Sequence, residues 1–194
     1  MKLQVFPNTT KPLCVFGALD TDNGRAIADE MLQWLVPHYE VHVVWHDGSQ
    51  FEQPALRYMQ DLCKERNVPC LYLHTKGAWN STRMDNVRIR AFWKKEFTER
   101  QEEYFDAVDC ARPSVACPFT GDDGTTWYNA FVVNAAAMRV HPEIRPNANR
   151  MKFERLFVKR NEVRVCGMVS NAIHREKGDI DKKILAIIRQ HLNE

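Results

Sequence analysis

Leu13-Cys14-Val15-Phe16-Gly17-Ala18-Leu19, followed at once by Asp20-Thr21-Asp22-Asn23-Gly24, decides the fold. An apolar run bounded by clustered turn formers has the length and content of a buried strand entering a loop. From Gly24 to Val36, residues Ile27, Met31, Leu32 and Leu35 recur at helical spacing, and Pro37 marks the stop. Val41 to Trp45, β-branched and aromatic, predicts a second strand closed by Asp47-Gly48-Ser49. Pro54 to Arg66 predicts a helix with an N-terminal proline and Leu56, Met59 and Leu62 on one face, and Cys70 to Leu73 a third strand. Strands alternating with single helices predict βαβ units, a mostly parallel sheet and a three-layer α/β/α, Rossmann-like architecture.

Beyond Gly77 the pattern changes. Trp79 to Thr82 is polar loop, and Met84 to Phe105 is a long charged segment with Val87, Ile89, Phe92, Trp93 and Phe97 on a helical face. Ser114 to Phe119 and Trp127 to Asn134 predict two strands joined by the loop Thr120-Gly121-Asp122-Asp123-Gly124-Thr125, of a composition on which sites are built. Met151 to Val158 predicts a short helix and Glu162 to Val169 a strand. Ile180 to Leu192 predicts a terminal helix with Ile184, Leu185, Ile188 and Leu192 inward.

The chain has 194 residues, the size of one domain, and 44% hydrophobic content, enough for a core without staples. Lys plus Arg number 27 and Asp plus Glu 25, a net charge of +2. That balance gives no support to nucleic acid or a membrane surface as partner, so anionic ligands have to be argued from local clusters. The six cysteines form no CxxC and lie largely in apolar runs, which reads as buried thiols in a reducing compartment rather than a zinc site. No stretch has the roughly 20 apolar residues of a membrane span, and Met1 to Thr10 has no secretion-signal character. A soluble, cytoplasmic protein is expected.

In an open parallel sheet, ligands bind beyond the carboxyl ends of the strands. Three such ends are Leu19-Asp20, Trp45-His46-Asp47-Gly48-Ser49 and Leu73-His74-Thr75-Lys76-Gly77. If the βαβ reading holds, Asp47, His74 and Lys76 emerge on one side, an acidic acceptor for a ribose or base and a cation for a phosphate. Read alone, Asp47-Gly48-Ser49 is only a turn. His38, His42 and His46 are spaced by four, but on a strand that spacing spans roughly 13 Å and excludes a shared metal. Asp20-Thr21-Asp22 could grip a cation or serve as loop and cap residues, and Asp122-Asp123 is a ligand-approaching loop or a solvated turn. Glu154 ranks first as an acid or base, because it follows the polar loop Pro146 to Arg150 and precedes Leu156-Phe157, which would hold a short helix against the core; the alternative is an exposed glutamate paired with Arg150 or Lys152.

Together these pieces resemble a GT-A-type glycosyltransferase. Val43-Val44-Trp45-His46-Asp47-Gly48-Ser49 is similar to the strand and turn by which family-2 glycosyltransferases hold the donor nucleotide. Leu71-Tyr72-Leu73-His74-Thr75-Lys76-Gly77, followed by Arg90-Ala91-Phe92-Trp93-Lys94-Lys95-Glu96-Phe97, resembles a group of bacterial and phage glycosyltransferases. Thr126 to Asn134 resembles that group's acceptor-side strand, and Asn149-Arg150 through Glu154-Arg155-Leu156-Phe157 its Arg-x-x-x-Glu segment.

The resemblance, over about Leu13 to Phe157, implies a single GT-A-like domain with a nucleotide-binding half over 1–77 and an acceptor-side half over 78–194. It implies transfer of a sugar from a nucleotide-diphosphate donor to a saccharide or other hydroxyl acceptor. Donor contacts then fall to Asp47, His74, Lys76, Gly77 and Arg83, acceptor contacts to Trp127, Tyr128 and Asn129, and the base to Glu154 or Asp123. A divalent metal, Mn or Mg, would be held with His174. Asp-x-Asp occurs only as Asp20-Thr21-Asp22 and Asp179-Ile180-Asp181, neither at the family's mid-domain position. Two other classes stay open: a nucleotide-binding module without transfer activity, and a protein-interaction domain anchored on Trp79, Trp93 and Trp127.

Overall fold

A computed structural model describes residues 1–78, 83–121, 123–146, 153, 155–158, 162–170 and 180–193. Seven strands form one sheet: β1 (Lys2–Phe6), β2 (Leu13–Leu19), β3 (Glu40–His46), β4 (Cys70–His74), β5 (Ser114–Phe119), β6 (Phe131–Val133) and β7 (Arg164–Ser170), in the order β1-β3-β2-β4-β6-β5-β7. Among the described residues the α-helices are α1 (Asp22–His38), α2 (Gln53–Arg66), α3 (Met84–Glu99), α4 (Gln101–Asp106), α5 (Ala135–Val140) and α6 (Ile180–Leu192).

β2 is buried along its whole length, as a central strand covered on both faces requires. Its side chains alternate between two cores. Cys14, Phe16 and Ala18 pack with α1, α3 and α6; Leu13 and Val15 pack with α2 and α5. Helices therefore cover both faces, and both expected halves of the chain contribute to one sheet, joined where β4 pairs with β6.

The sheet is mixed. β2 pairs in parallel with β3 and β4, and β5 with β7, while β1 and β6 run against their neighbours. The mostly parallel expectation holds for strand direction, since β2, β3, β4, β5 and β7 run one way. It fails for pairing, because β6 is inserted in reverse between β4 and β5. The expected strand Trp127 to Asn134 is also corrected. Trp127–Asn129 is a tight turn with Tyr128 at φ 63° and Asn129 at φ 49°, both left-handed, so only Phe131–Val133 extends.

Other differences are local. α1 runs through Pro37 to His38, and the Tyr39 N–H still reaches the Leu35 carbonyl at 2.8 Å. The helical segment from Met84 breaks at Arg100 into α3 and α4. Two elements were missed. β1 is an exposed edge strand too short to show periodicity. α5 follows Asn134, whose Oδ1 accepts from the Ala137 N–H at 2.9 Å.

Among the described residues no helix is long and apolar enough to cross a membrane. Cys14, Cys63, Cys70 and Cys117 are buried free thiols, as read from the apolar runs, whereas Cys110 is exposed.

Candidate active site at the strand tips

The chain steps from β2 to β3 through α1 on one face, then crosses back to β4 through α2 on the other. Loops leaving β2 and β3 therefore diverge, and a crevice opens beyond their carboxyl ends. A cleft of about 270 Å³ lies there, lined by residues of all three tips, including Leu19, His46, His74, Thr75, Lys76 and Gly77, with Arg83 and Asn86 from the start of α3. The three loops are tied together. The Leu19 N–H donates to Thr75 Oγ1 at 3.1 Å, the Thr75 N–H to the Gly17 carbonyl at 3.0 Å, and the Asp20 N–H to the His46 carbonyl at 2.7 Å.

His74 is buried at the cleft wall. Its Nε2–H donates to the Tyr128 carbonyl at 3.0 Å, its ring meets Trp93 edge-on, and Nδ1 lies 3.8 Å from Glu52 Oε1. Lys76 is half-buried, with its ammonium 4.3 Å from the centre of the Tyr128 ring. Its carbonyl accepts from Arg90 Nη1 at 3.0 Å, while the rest of that buried guanidinium grips Glu30 of α1. Gly77 has φ +88°, and a Cβ there would stand 2.7 Å from Asn86 Cβ. Glycine is thus required by conformation and by the close approach of α3. Arg83 is exposed, with Nε 3.4 Å from Asp85 Oδ2.

Asp47 opens into a neighbouring pocket of about 470 Å³, between β3, β1 and α2, rather than into the cleft. His46 lines both. Asp47 Oδ1 accepts from the Ser49 N–H at 2.9 Å and the Ser49 hydroxyl at 2.6 Å, which holds its carboxyl below the usual range. The local turn reading is therefore fulfilled, and the carboxylate still borders the pocket. His46 Nδ1 accepts from the Gly48 N–H at 3.2 Å, so the neutral ring carries its proton on Nε2, and burial pushes its pKa down.

The remaining described candidates, Asp123, Trp127, Tyr128 and Asn129, do not line the cleft. Asp123 Oδ1 caps its own turn through Thr125, at 3.0 Å to N and 2.5 Å to Oγ1, and Oδ2 lies 3.5 Å from Arg155 Nη2. Trp127, Tyr128 and Asn129 are buried; Tyr128 shapes the site through its carbonyl and ring, and its hydroxyl donates to Asp181 at 2.9 Å. Trp93 and Trp127 are core residues, which removes them as exposed anchors. Asp20 is gripped by Arg25 at 2.7 and 2.9 Å, and Thr21 caps α1, so Asp20-Thr21-Asp22 serves as loop and cap. His42 is buried between Glu40 and Tyr58. Among the described residues no group of three or more His, Cys, Asp or Glu could hold a metal. Glu154, His174, Trp79, Asp122, Asp179 and the segment 147–152 lie outside the described residues.

Neither a protein-family model, nor a curated protein, nor a solved structure matches this chain. The strand-tip geometry is what bears on function. Sequence reasoning missed Glu52 and Asn86 at the cleft, and gave Arg90, behind it, no role beyond its place in a motif. Glu52 left one usable signal: it directly precedes an apolar-faced helix beginning Gln53-Pro54, where a strand-tip loop would end.

Proposed function

We propose that the protein is a glycosyltransferase of GT-A type, moving a sugar from a nucleotide-diphosphate donor to an acceptor hydroxyl. The observation that carries this reading is the convergence of His74, Lys76 and Arg83 on one cleft at the tips of β2 and β4, with Asp47 in the adjoining pocket. Cations in a confined cleft stabilise the charge that develops on a leaving diphosphate. The adjoining pocket offers Trp45 and Tyr58 as apolar walls for a nucleoside and Asp47 as an acceptor for its hydroxyls. The diphosphate lies against Lys76, Arg83 and the His74 wall, and Gly77 lets the backbone come close. A divalent Mn or Mg, if used, adds to these cations.

A thermal-shift panel of inorganic pyrophosphate, uridine and guanosine diphosphates and their sugars, with and without manganese, tests the reading. Stabilisation by nucleotide diphosphates, together with release of nucleotide from at least one sugar donor, is the expected result. Binding without turnover would favour a nucleotide-binding module, and no response to any of them would remove the reading.

A further inference from the structure

Glu52 occupies the N-cap position of α2, yet its carboxylate makes no capping bond. It lines the cleft and is 6% exposed, as is His74. Of the two ring nitrogens of His74, one is already committed. A carbonyl oxygen only accepts, so Nε2, bound to the Tyr128 carbonyl, carries a proton whatever the state of the ring. The other nitrogen, Nδ1, faces Glu52 Oε1 at 3.8 Å, and a proton can reside on either group. On Nδ1 it gives an imidazolium beside a carboxylate; on Glu52, an imidazole beside a carboxylic acid. The separation exceeds hydrogen-bond length, but acid–base groups commonly close up only when ligand is bound.

We propose that Glu52 is the general base of the cleft and that His74, fixed by the Tyr128 carbonyl, is its positioning residue; this rests on the transfer reaction proposed above. In that step the acceptor O–H bond breaks and its proton passes to Glu52, while the oxygen bonds to the anomeric carbon. The bond from that carbon to the diphosphate oxygen breaks, and its electron pair leaves on the diphosphate beside Lys76 and Arg83. The proton then moves from Glu52 to His74 Nδ1, adding a third cation next to the departing anion. Among the described residues, the charged or titratable groups that line the cleft with the pair are His46 from the β3 tip, Lys76 from the β4 tip and Arg83, just before α3.

Two measurements test this. Imidazole nitrogen NMR of histidine-labelled protein, with the His74 signal assigned by its loss in His74→Gln, reports the pair without any ligand. Nε2 is expected to stay protonated throughout, and Glu52→Gln to lower the pH midpoint of Nδ1 protonation by about one unit. An unchanged midpoint overturns the proton sharing. Turnover of UDP-glucose, UDP-galactose and GDP-mannose tests the base. Glu52→Gln, which has no capping bond to lose, is expected to bind nucleotide as the parent does and to lose about 100-fold in kcat, with the acidic limb of the pH profile removed. Full turnover in that variant overturns the role. If the parent turns over none of these donors while binding them, the transfer reading fails and the base role with it, whereas the proton sharing is still decided by the NMR titration.

Discussion

Arg90, on α3, donates from Nη1 to the carbonyl oxygen of Lys76 at 3.0 Å. The same guanidinium places Nε and Nη2 each 3.1 Å from the two carboxylate oxygens of Glu30 on α1. One buried side chain thus fastens the β4 tip to both helices that flank it, and the fork geometry suits arginine alone.

Replacing Arg90 by lysine keeps the charge and loses the fork. Arg90→Lys is expected to lower stability by about 1–3 kcal/mol and to weaken pyrophosphate binding, because the Lys76 carbonyl loses its donor. Urea denaturation and a pyrophosphate thermal shift measure the two effects separately. Unchanged values in both would mean that the bridge does not hold the loop.

Lys76→Ala removes the ammonium over the Tyr128 ring. At a half-exposed site that contact is worth about 0.5–1 kcal/mol, so the melting temperature should fall only slightly. Affinity for pyrophosphate should fall about tenfold or more, the scale of a lost charge-assisted contact. Equal affinity in the variant and the parent would take Lys76 out of anion binding.

Gly77→Ala introduces a Cβ at φ +88°, 2.7 Å from Asn86 Cβ and 2.8 Å from its amide carbon and nitrogen. Left-handed strain alone costs of order 1 kcal/mol, and the clash drives α3 away from the β4 tip. We expect a lower denaturation midpoint together with lost ligand response. A variant as stable as the parent would show that the loop can relax.

Stability should also decline on mild acidification, in part through His46. Burial lowers the folded-state pKa of this ring from its ordinary 6.5. As pH falls below that value the unfolded chain binds the proton first, so the contribution of His46 is complete above pH 6.5 and is lost progressively toward the folded value. Denaturation midpoints measured from pH 8 to pH 5 in parent and His46→Gln should converge toward the acid end. Parallel curves would sink the assignment.

Thiol labelling checks the burial pattern. Cys110 should react rapidly with an alkylating reagent under native conditions, while Cys14, Cys63, Cys70 and Cys117 stay protected until the chain unfolds. Burial pushes the Cys14 and Cys117 thiols up, removing the reactive thiolate. Mass spectrometry of the labelled protein resolves the order. Early labelling of Cys14, on the central strand, would contradict the fold.

The sequence by itself determined β2, β3, β4 and the helices between them, because a fully buried strand has to be apolar along its length and an amphipathic helix has to repeat every 3.6 residues. It also placed His74, Lys76 and Gly77 at a strand tip, since those residues directly follow the run Cys70-Leu71-Tyr72-Leu73. Tertiary structure alone decided that β6 runs in reverse beside β4, because short apolar segments carry no record of direction or partner. Only there, too, was it decided that Asp123 turns to Thr125 and Arg155 while Glu52, which the chain marks only as the residue before a helix, meets His74 from 22 positions away. Periodicity is written in neighbours along the chain, whereas a site is assembled from groups whose proximity depends on how the sheet is ordered and which faces its helices cover.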